Sequence, residues 1–346
     1  MIHPWQRDPW QRLVATRARP AHALLLSGAR GQGKRNFAEA YAAHLLCSRP
    51  DEHGFACGTC AQCCLRLSDN HPDLLRIIPA ADQAEPESAP GKTKPSTQIV
   101  IEQVRQLREQ LAVTGHQSDT RVVIVDPAEA MNSNTANALL KLLEEPPEGT
   151  RFLLVSAMPR RLLPTIRSRC QHWPFPRPEP AAARAWLREH GGAGDDALLA
   201  LSGNMPLAAA QLAQMDGARL RQRFISDLLS MPPRDAVMVA GDWDAWLRAK
   251  DTSAAGFTLV RLIEWMLRWV WDLSATRLGG QARYFPDCQT DFTRLAAPAG
   301  NAAMLDCYNA LVQIHRAASH PLNVRLVLED MLLRYARALA PSRSPR

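Results

Sequence analysis

The sequence predicts an α/β domain, a parallel sheet covered by helices, followed by a small helical domain and an all-α C-terminal domain. Three observations predict it. As far as about residue 172, short apolar runs of β type alternate with stretches of helical periodicity, the signature of parallel strands joined by helical crossovers. A glycine-rich loop separates the first such run from the helix after it. Beyond Trp173 the Pro-rich string WPFPRPEPAAA breaks the pattern, and no convincing strand follows.

The 346 residues, 46% of them hydrophobic, can bury the cores of two or three domains and exclude a disordered chain. The net charge of +7 permits contact with a polyanion, but Lys and Arg are interleaved with Asp and Glu and form no basic block. The longest apolar segment, 257–271, is interrupted by Arg261, Glu264 and Arg268, and the N-terminus MIHPWQRDPW lacks a signal-peptide core. A cytoplasmic protein with no membrane contact is expected. Five of the eight cysteines crowd into 47–64, while Cys170, Cys288 and Cys307 are scattered. That clustering points to metal rather than to disulfides.

Residues 23–27 (ALLLS), 121–126 (RVVIVD) and 152–156 (FLLVS) read as buried strands. Ile101, Val104, Leu107 and Leu111 recur at helical spacing, with charged residues on the other faces. The segment 80–96, rich in Pro, Ala, Ser and charge, reads as a mobile loop. The chain is expected to divide into 1–172, a small helical domain 173–215, and a helical region 216–346. That last region holds a Trp-rich helix at 257–272 and a long final helix, Val324–Leu339. Trp265, Trp269 and Trp271, at helical spacing, are expected to pack in a core or against another subunit.

The strand ALLLS runs into Gly28-Ala29-Arg30-Gly31-Gln32-Gly33-Lys34-Arg35 and then a helix. This is the G-x-x-x-x-G-K pattern of a P-loop. Gly28, Gly31 and Gly33 let backbone N–H groups wrap a phosphate, the helix N-terminus adds its dipole, and Lys34 reaches the outer phosphates. The next position, where a Ser or Thr hydroxyl would meet Mg²⁺, is Arg35, and a guanidinium cannot ligate a cation. Two readings of the loop stay open: retained nucleotide binding through Lys34, and a phosphate-free turn kept for its fold. Either way, Mg²⁺-assisted ATP hydrolysis is not expected. About ninety residues on, an apolar strand ends in Asp126 with Glu129 three positions later. In P-loop enzymes such acids orient the Mg²⁺ shell and polarise the attacking water.

Cys47, Cys57, Cys60 and Cys63 have the spacing of a four-thiolate Zn²⁺ site, with Cys64 as the spare. A closed four-sulfur site leaves no open position for substrate, so a structural role follows. A redox C-x-x-C would not need four thiols.

Helical ANALLKLLEEPP at 136–147, then FLLVS, then Thr165-Ile166-Arg167-Ser168-Arg169-Cys170 resemble the clamp-loader branch of the AAA+ ATPases. The cysteine module after the P-loop helix, the altered P-loop, HPWQRDPWQRL near the start and HPLNVRLVLEDMLL near the end are similar to the delta-prime family of bacterial DNA polymerase III. The resemblance covers essentially the whole chain. It implies that Arg169 projects into the ATP site of an adjacent subunit as an arginine finger in trans, and that Ser156 matches a polar γ-phosphate sensor. It also implies a second sensor arginine near Gly203-Asn204-Met205-Pro206-Leu207, where this sequence has none. The expected partners are ATPase and delta-type clamp-loader subunits, with the sliding clamp and polymerase reached indirectly. Primed DNA would be touched through its phosphates. The implied role is a non-hydrolysing stator in a five-subunit ring of the replicative holoenzyme, with no activity alone. Two alternatives compete with it: an active AAA+ motor subunit that tolerates Arg35, and a zinc-dependent nucleic-acid-binding module with a vestigial P-loop.

Overall fold

The computed structural model describes residues 2–82, 96–112, 119–190, 196–231, 234–318 and 322–341. The chain divides into two compact units, Met1–Ala182 and Ala183–Arg346. In the first unit, strands β1 (Ala23–Ser27), β2 (Leu74–Ile77), β3 (Arg121–Val125), β4 (Thr150–Ser156) and β5 (Gln171–Pro174) form one sheet of order β2-β3-β4-β1-β5. Every pairing in it is parallel. Helices α1 (Arg7–Val14), α2 (Lys34–Leu46), α3 (Ala61–Leu67), α4 (Ile101–Ala112), α5 (Ser133–Glu144) and α6 (Pro164–Arg169) accompany it.

Alternate strand residues feed two separate cores, as the period of two requires. Leu25, Val123, Val125, Phe152 and Leu154 pack with Val104, Leu107, Leu139, Leu143 and Ile166 of α4, α5 and α6. Leu24, Leu26, Val122, Ile124, Leu153 and Val155 pack with Trp10, Leu13, Phe37, Tyr41 and Leu46 of α1 and α2. With both faces covered, the three central strands carry unbroken apolar runs, LLL, VVIV and FLLV, which is why they stood out in the sequence. β2 and β5, the two edge strands, were not expected; their sequences LLRI and QHWP carry Arg76, Gln171 and a terminal proline. Residues 83–95 of the expected loop lie outside the described residues, and 80–82 form a 3-10 turn.

The second unit is helical: α7 (Pro180–His190), which begins just before it, then α8 (Asp196–Leu201), α9 (Pro206–Gln214), α10 (Gly217–Leu229), α11 (Ala236–Arg248), α12 (Lys250–Ala254), α13 (Leu259–Arg277), α14 (Gln289–Ala296), α15 (Asn301–Ala317) and α16 (Val324–Leu339). One large core runs from Leu198 to Leu339 and holds Phe224, Trp243, Trp265, Trp269, Phe292 and Tyr335, while Ala183, Trp186, Leu187, Leu199, Met205 and Ala209 are buried outside it. Leu198, Leu201 and Leu212, in the expected small domain 173–215, share that core with the helices after it. Trp269 Nε1 donates to the Tyr335 hydroxyl at 2.9 Å, so neither polar tip is stranded. Trp265 and Trp269 are fully buried as expected, but Trp271 is 48% exposed and belongs to no core. Two residues past Trp269 it falls about 200° round the helix, on the outer face. Among the described residues no helix is long and apolar enough to cross a membrane.

Candidate functional site

The P-loop leaves the C-terminal end of β1 and opens α2, so its glycines lie at the carboxyl edge of the sheet, where open α/β sheets bind ligands. Gly31 and Gly33 both adopt φ of +80°, a conformation that costs any residue with a Cβ. At Gly33 a Cβ would also lie 2.5 Å from the His3 ring. Lys34 is buried, and its Nζ donates to the loop's own carbonyls, Gly28 O at 2.9 Å and Ala29 O at 2.7 Å. Burial lowers the Lys34 pKa from 10.5 to about 8, against the pull of Glu129 and Asp126.

The N-terminal segment closes over this loop, which the sequence did not foretell. Gln6 Nε2 donates to Gln32 O at 2.8 Å and Gly33 O at 2.9 Å, and Trp5 Nε1 donates to Gln32 O at 3.0 Å. The Gln32 side chain, itself buried, crosses to Pro176 O at 3.0 Å. The available signal was that HPWQRDPW, with two tryptophans in eight residues, is too aromatic for a free tail; the partner, 26 residues away for Gln6, was not legible.

Arg35 points at Asp126 and forms an ion pair with it, the carboxylate nearly buried and the guanidinium half-exposed. Burial pushes the Asp126 pKa up, while the Arg35 hydrogen bond opposes it. Glu129 Oε1 accepts from the Ala157 amide at 2.9 Å, and Ser156 Oγ accepts from the Met158 amide at 3.1 Å. The structure therefore gathers Lys34, Arg35, Asp126, Glu129 and Ser156 at one end of the sheet, each committed to a protein partner. These residues do not fit a Mg²⁺-bound nucleotide: the metal-binding hydroxyl is absent and its acidic counterpart is held by a guanidinium.

The cysteines do fit a metal. The ligand atoms of Cys47, Cys57, Cys60 and Cys63 all lie within 4.8 Å of one another. The Sγ separations are 3.6 Å for Cys47–Cys57, 3.9 Å for Cys47–Cys60 and 4.0 Å for Cys57–Cys63. A tetrahedron with Zn–S bonds of about 2.3 Å requires about 3.8 Å. Backbone amides of Cys57 and Cys60 donate to Cys47 Sγ and Cys57 Sγ at 3.3 and 3.4 Å, which stabilises thiolate charge. Cys64 is exposed and donates to Thr59 O, outside the cluster.

Arg169 ends α6. Ile166 and Cys170 on either side are buried, which fixes the helix and its exit and leaves the Arg169 side chain 36% exposed. Its NH1 donates to Thr165 O at 3.1 Å and its NH2 meets Glu144 Oε1, at the end of α5, at 2.6 Å. It shares no polar partner with Lys34, Arg35 or Asp126. In the second unit α9 begins at Pro206 and carries no arginine.

Residues 6–179 match the family model described as DNA polymerase III, delta subunit. The DNA polymerase III subunit delta' of Pseudomonas aeruginosa is 35% identical over 98% of this chain and 99% of its own length. That of Escherichia coli is 31% identical over 98% of this chain and 96% of its own. A crystal structure of a DNA polymerase III gamma subunit-related protein from Thermotoga maritima covers 96% of this chain and 99% of its own, with 18% identity and a TM-score of 0.48. With a parallel P-loop sheet, a four-cysteine cluster and end-to-end relatives of one kind, the chain belongs to the delta-prime family of DNA polymerase III clamp-loader subunits.

Proposed function

We propose that this subunit is a stator: it neither cycles nor hydrolyses ATP, and it gives Arg169 to the ATP site of a neighbouring clamp-loader ATPase. The observation that carries the first half is the Arg35–Asp126 ion pair. A metal-assisted phosphoryl transfer needs a hydroxyl and a free carboxylate on Mg²⁺, and this chain has turned both positions into a self-neutralising pair. The fold-back of Lys34, the cover by Trp5 and Gln6, and the lack of arginine in α9 support the same reading.

The second half rests on Arg169, a partly exposed guanidinium at the end of a helix whose flanks are buried. Against a γ-phosphate such a group neutralises charge that builds as the terminal phosphoryl leaves, and it can fork to two oxygens. It needs no nucleotide in its own subunit. The partners on this reading are ATPase and delta-type clamp-loader subunits, with the sliding clamp and primed DNA reached through the assembled ring. The cysteine cluster would hold Zn²⁺ as a staple for the module after α2.

The test is an equilibrium titration of the chain with a fluorescent ATP analogue and Mg²⁺, beside ATP turnover of the reconstituted ring. The expected results are no saturable binding to the isolated chain, and loss of about 10³-fold in turnover at the adjoining site with Arg169→Ala. Binding abolished by Lys34→Ala would overturn the first half, and full turnover with Arg169→Ala the second.

A further inference from the structure

Arg169 reaches into empty space only in part, because one carboxylate already holds it. Glu144 Oε1 sits 2.6 Å from NH2, and Thr165 O receives NH1 at 3.1 Å. Ser168 Oγ donates to the same Thr165 carbonyl at 3.1 Å. The two side chains come from the last residues of α5 and α6. Leu142 and Leu143 of α5 and Ile166 and Cys170 at α6 are buried, so the backbone supporting both groups is fixed.

The ion pair cannot be explained as a contribution to stability. With Arg169 36% and Glu144 46% exposed, solvent screening leaves such a pair only a small contribution to stability. Nor is Glu144 favoured locally, since a negative charge in the last turn of a helix meets the negative end of the dipole. A residue that violates local preference and adds little to stability is where a positional role is expected. A long arginine side chain has rotamer freedom to lose before it can serve a reaction, and less is lost when its planar head is already held. Glu144 and Thr165 O together fix the guanidinium plane through two different nitrogens, and three of its five N–H groups remain to be offered outward.

We infer that Glu144 is a positioning residue for Arg169: it holds the guanidinium in the orientation that the neighbour's phosphate receives. This rests on the trans-arginine reading. No bond forms or breaks in this chain; Glu144 acts only through Arg169. Because the carboxylate also partly balances the charge, the finger approaches a triphosphate oriented, not as a free cation, so the effect falls on turnover and not on nucleotide capture.

The experiment is steady-state ATP turnover in the reconstituted ring with Glu144→Ala, Glu144→Gln, Arg169→Ala and the double variant, folding of each being checked by circular dichroism. Glu144→Ala should lower kcat about tenfold with KM little changed, and Glu144→Gln, which keeps an acceptor oxygen, should recover most of it. On the Arg169→Ala background Glu144→Ala should have no further effect. Turnover with Glu144→Ala equal to or above that of the unaltered ring, or a further loss on the Arg169→Ala background, would overturn the inference. Unchanged turnover with Arg169→Ala would instead remove the reading beneath it.

Discussion

Lys34 is an ammonium buried in a loop of carbonyls, with a pKa near 8 instead of 10.5. Below about 8 the folded state carries a charge that burial disfavours, at a cost of about 3 kcal/mol. Between 8 and 10.5 the unfolded chain binds the proton that the folded chain has released, so stability rises with pH across that window. Lys34→Met should therefore raise the unfolding free energy at pH 7, and the gain should shrink as pH climbs from 8 to 10.5. Urea titrations at several pH values read both. At Arg35, replacement by Thr supplies the missing hydroxyl and frees Asp126. If the ion pair is what excludes the metal, Arg35→Thr should show Mg²⁺-dependent nucleotide binding in a fluorescence titration where the parent shows none. Lys34 and Arg35 were legible because a P-loop is a local pattern of fixed spacing, and Asp126 and Glu129 because an apolar strand ends on an acid. Gln6, Gln32 and Glu144 were not, since single polar residues acquire meaning only from partners that folding delivers.

Among the elements, the four-cysteine module and the segment after α13 are both held by concentrated polar contacts. Four thiolates on one short stretch repel one another without a cation, so metal removal by a chelator should melt the module. The expected readout is a fall of several degrees in Tm, restored by Zn²⁺, with Cys60→Ser behaving as the stripped protein and Cys64→Ser as the parent. In α13, fully buried Asp272 accepts from the amides of Arg283, Tyr284 and Phe285 at 2.9, 2.7 and 2.8 Å. Asp272→Ala strands three donors and should destabilise the second unit by more than about 3 kcal/mol, measured by denaturant unfolding. At this scale the sequence was readable where burial was two-sided. β1, β3 and β4 announced themselves, and edge strands β2 and β5 did not, because an edge needs fewer apolar side chains. Trp271 shared its spacing class with Trp265 and Trp269, yet a difference of two positions turned it outward.

For the whole molecule, among the described residues the two cores of the sheet unit reach Cys170 and Phe175, and a core of the helical unit runs from Leu198 to Leu339. Separate cores predict separate folding. Fragments cut just before Pro180 should each unfold cooperatively, by circular dichroism, at midpoints near those seen in the full chain; a fragment without a transition would contradict it. The Pro-rich string suggested a boundary after residue 172, which falls within β5, whereas the units divide after Ala182; the shared core of Leu198, Leu212 and the later helices depends on long-range packing that no periodicity encodes.

In the loop from Gly28 to Arg35, Lys34 is folded back on the Gly28 and Ala29 carbonyls, Gln6 and Trp5 hold the Gln32 and Gly33 carbonyls, and Arg35 is paired with Asp126. A machine whose other members respond to the ratio of ATP to ADP would then contain one member blind to it. On the proposed stator reading, such a member would supply a constant reference against which the others move. Amide hydrogen exchange across residues 28–35 should be the same in ATP, in ADP and in neither, while the surface around Arg169 slows only when a loaded neighbour is present.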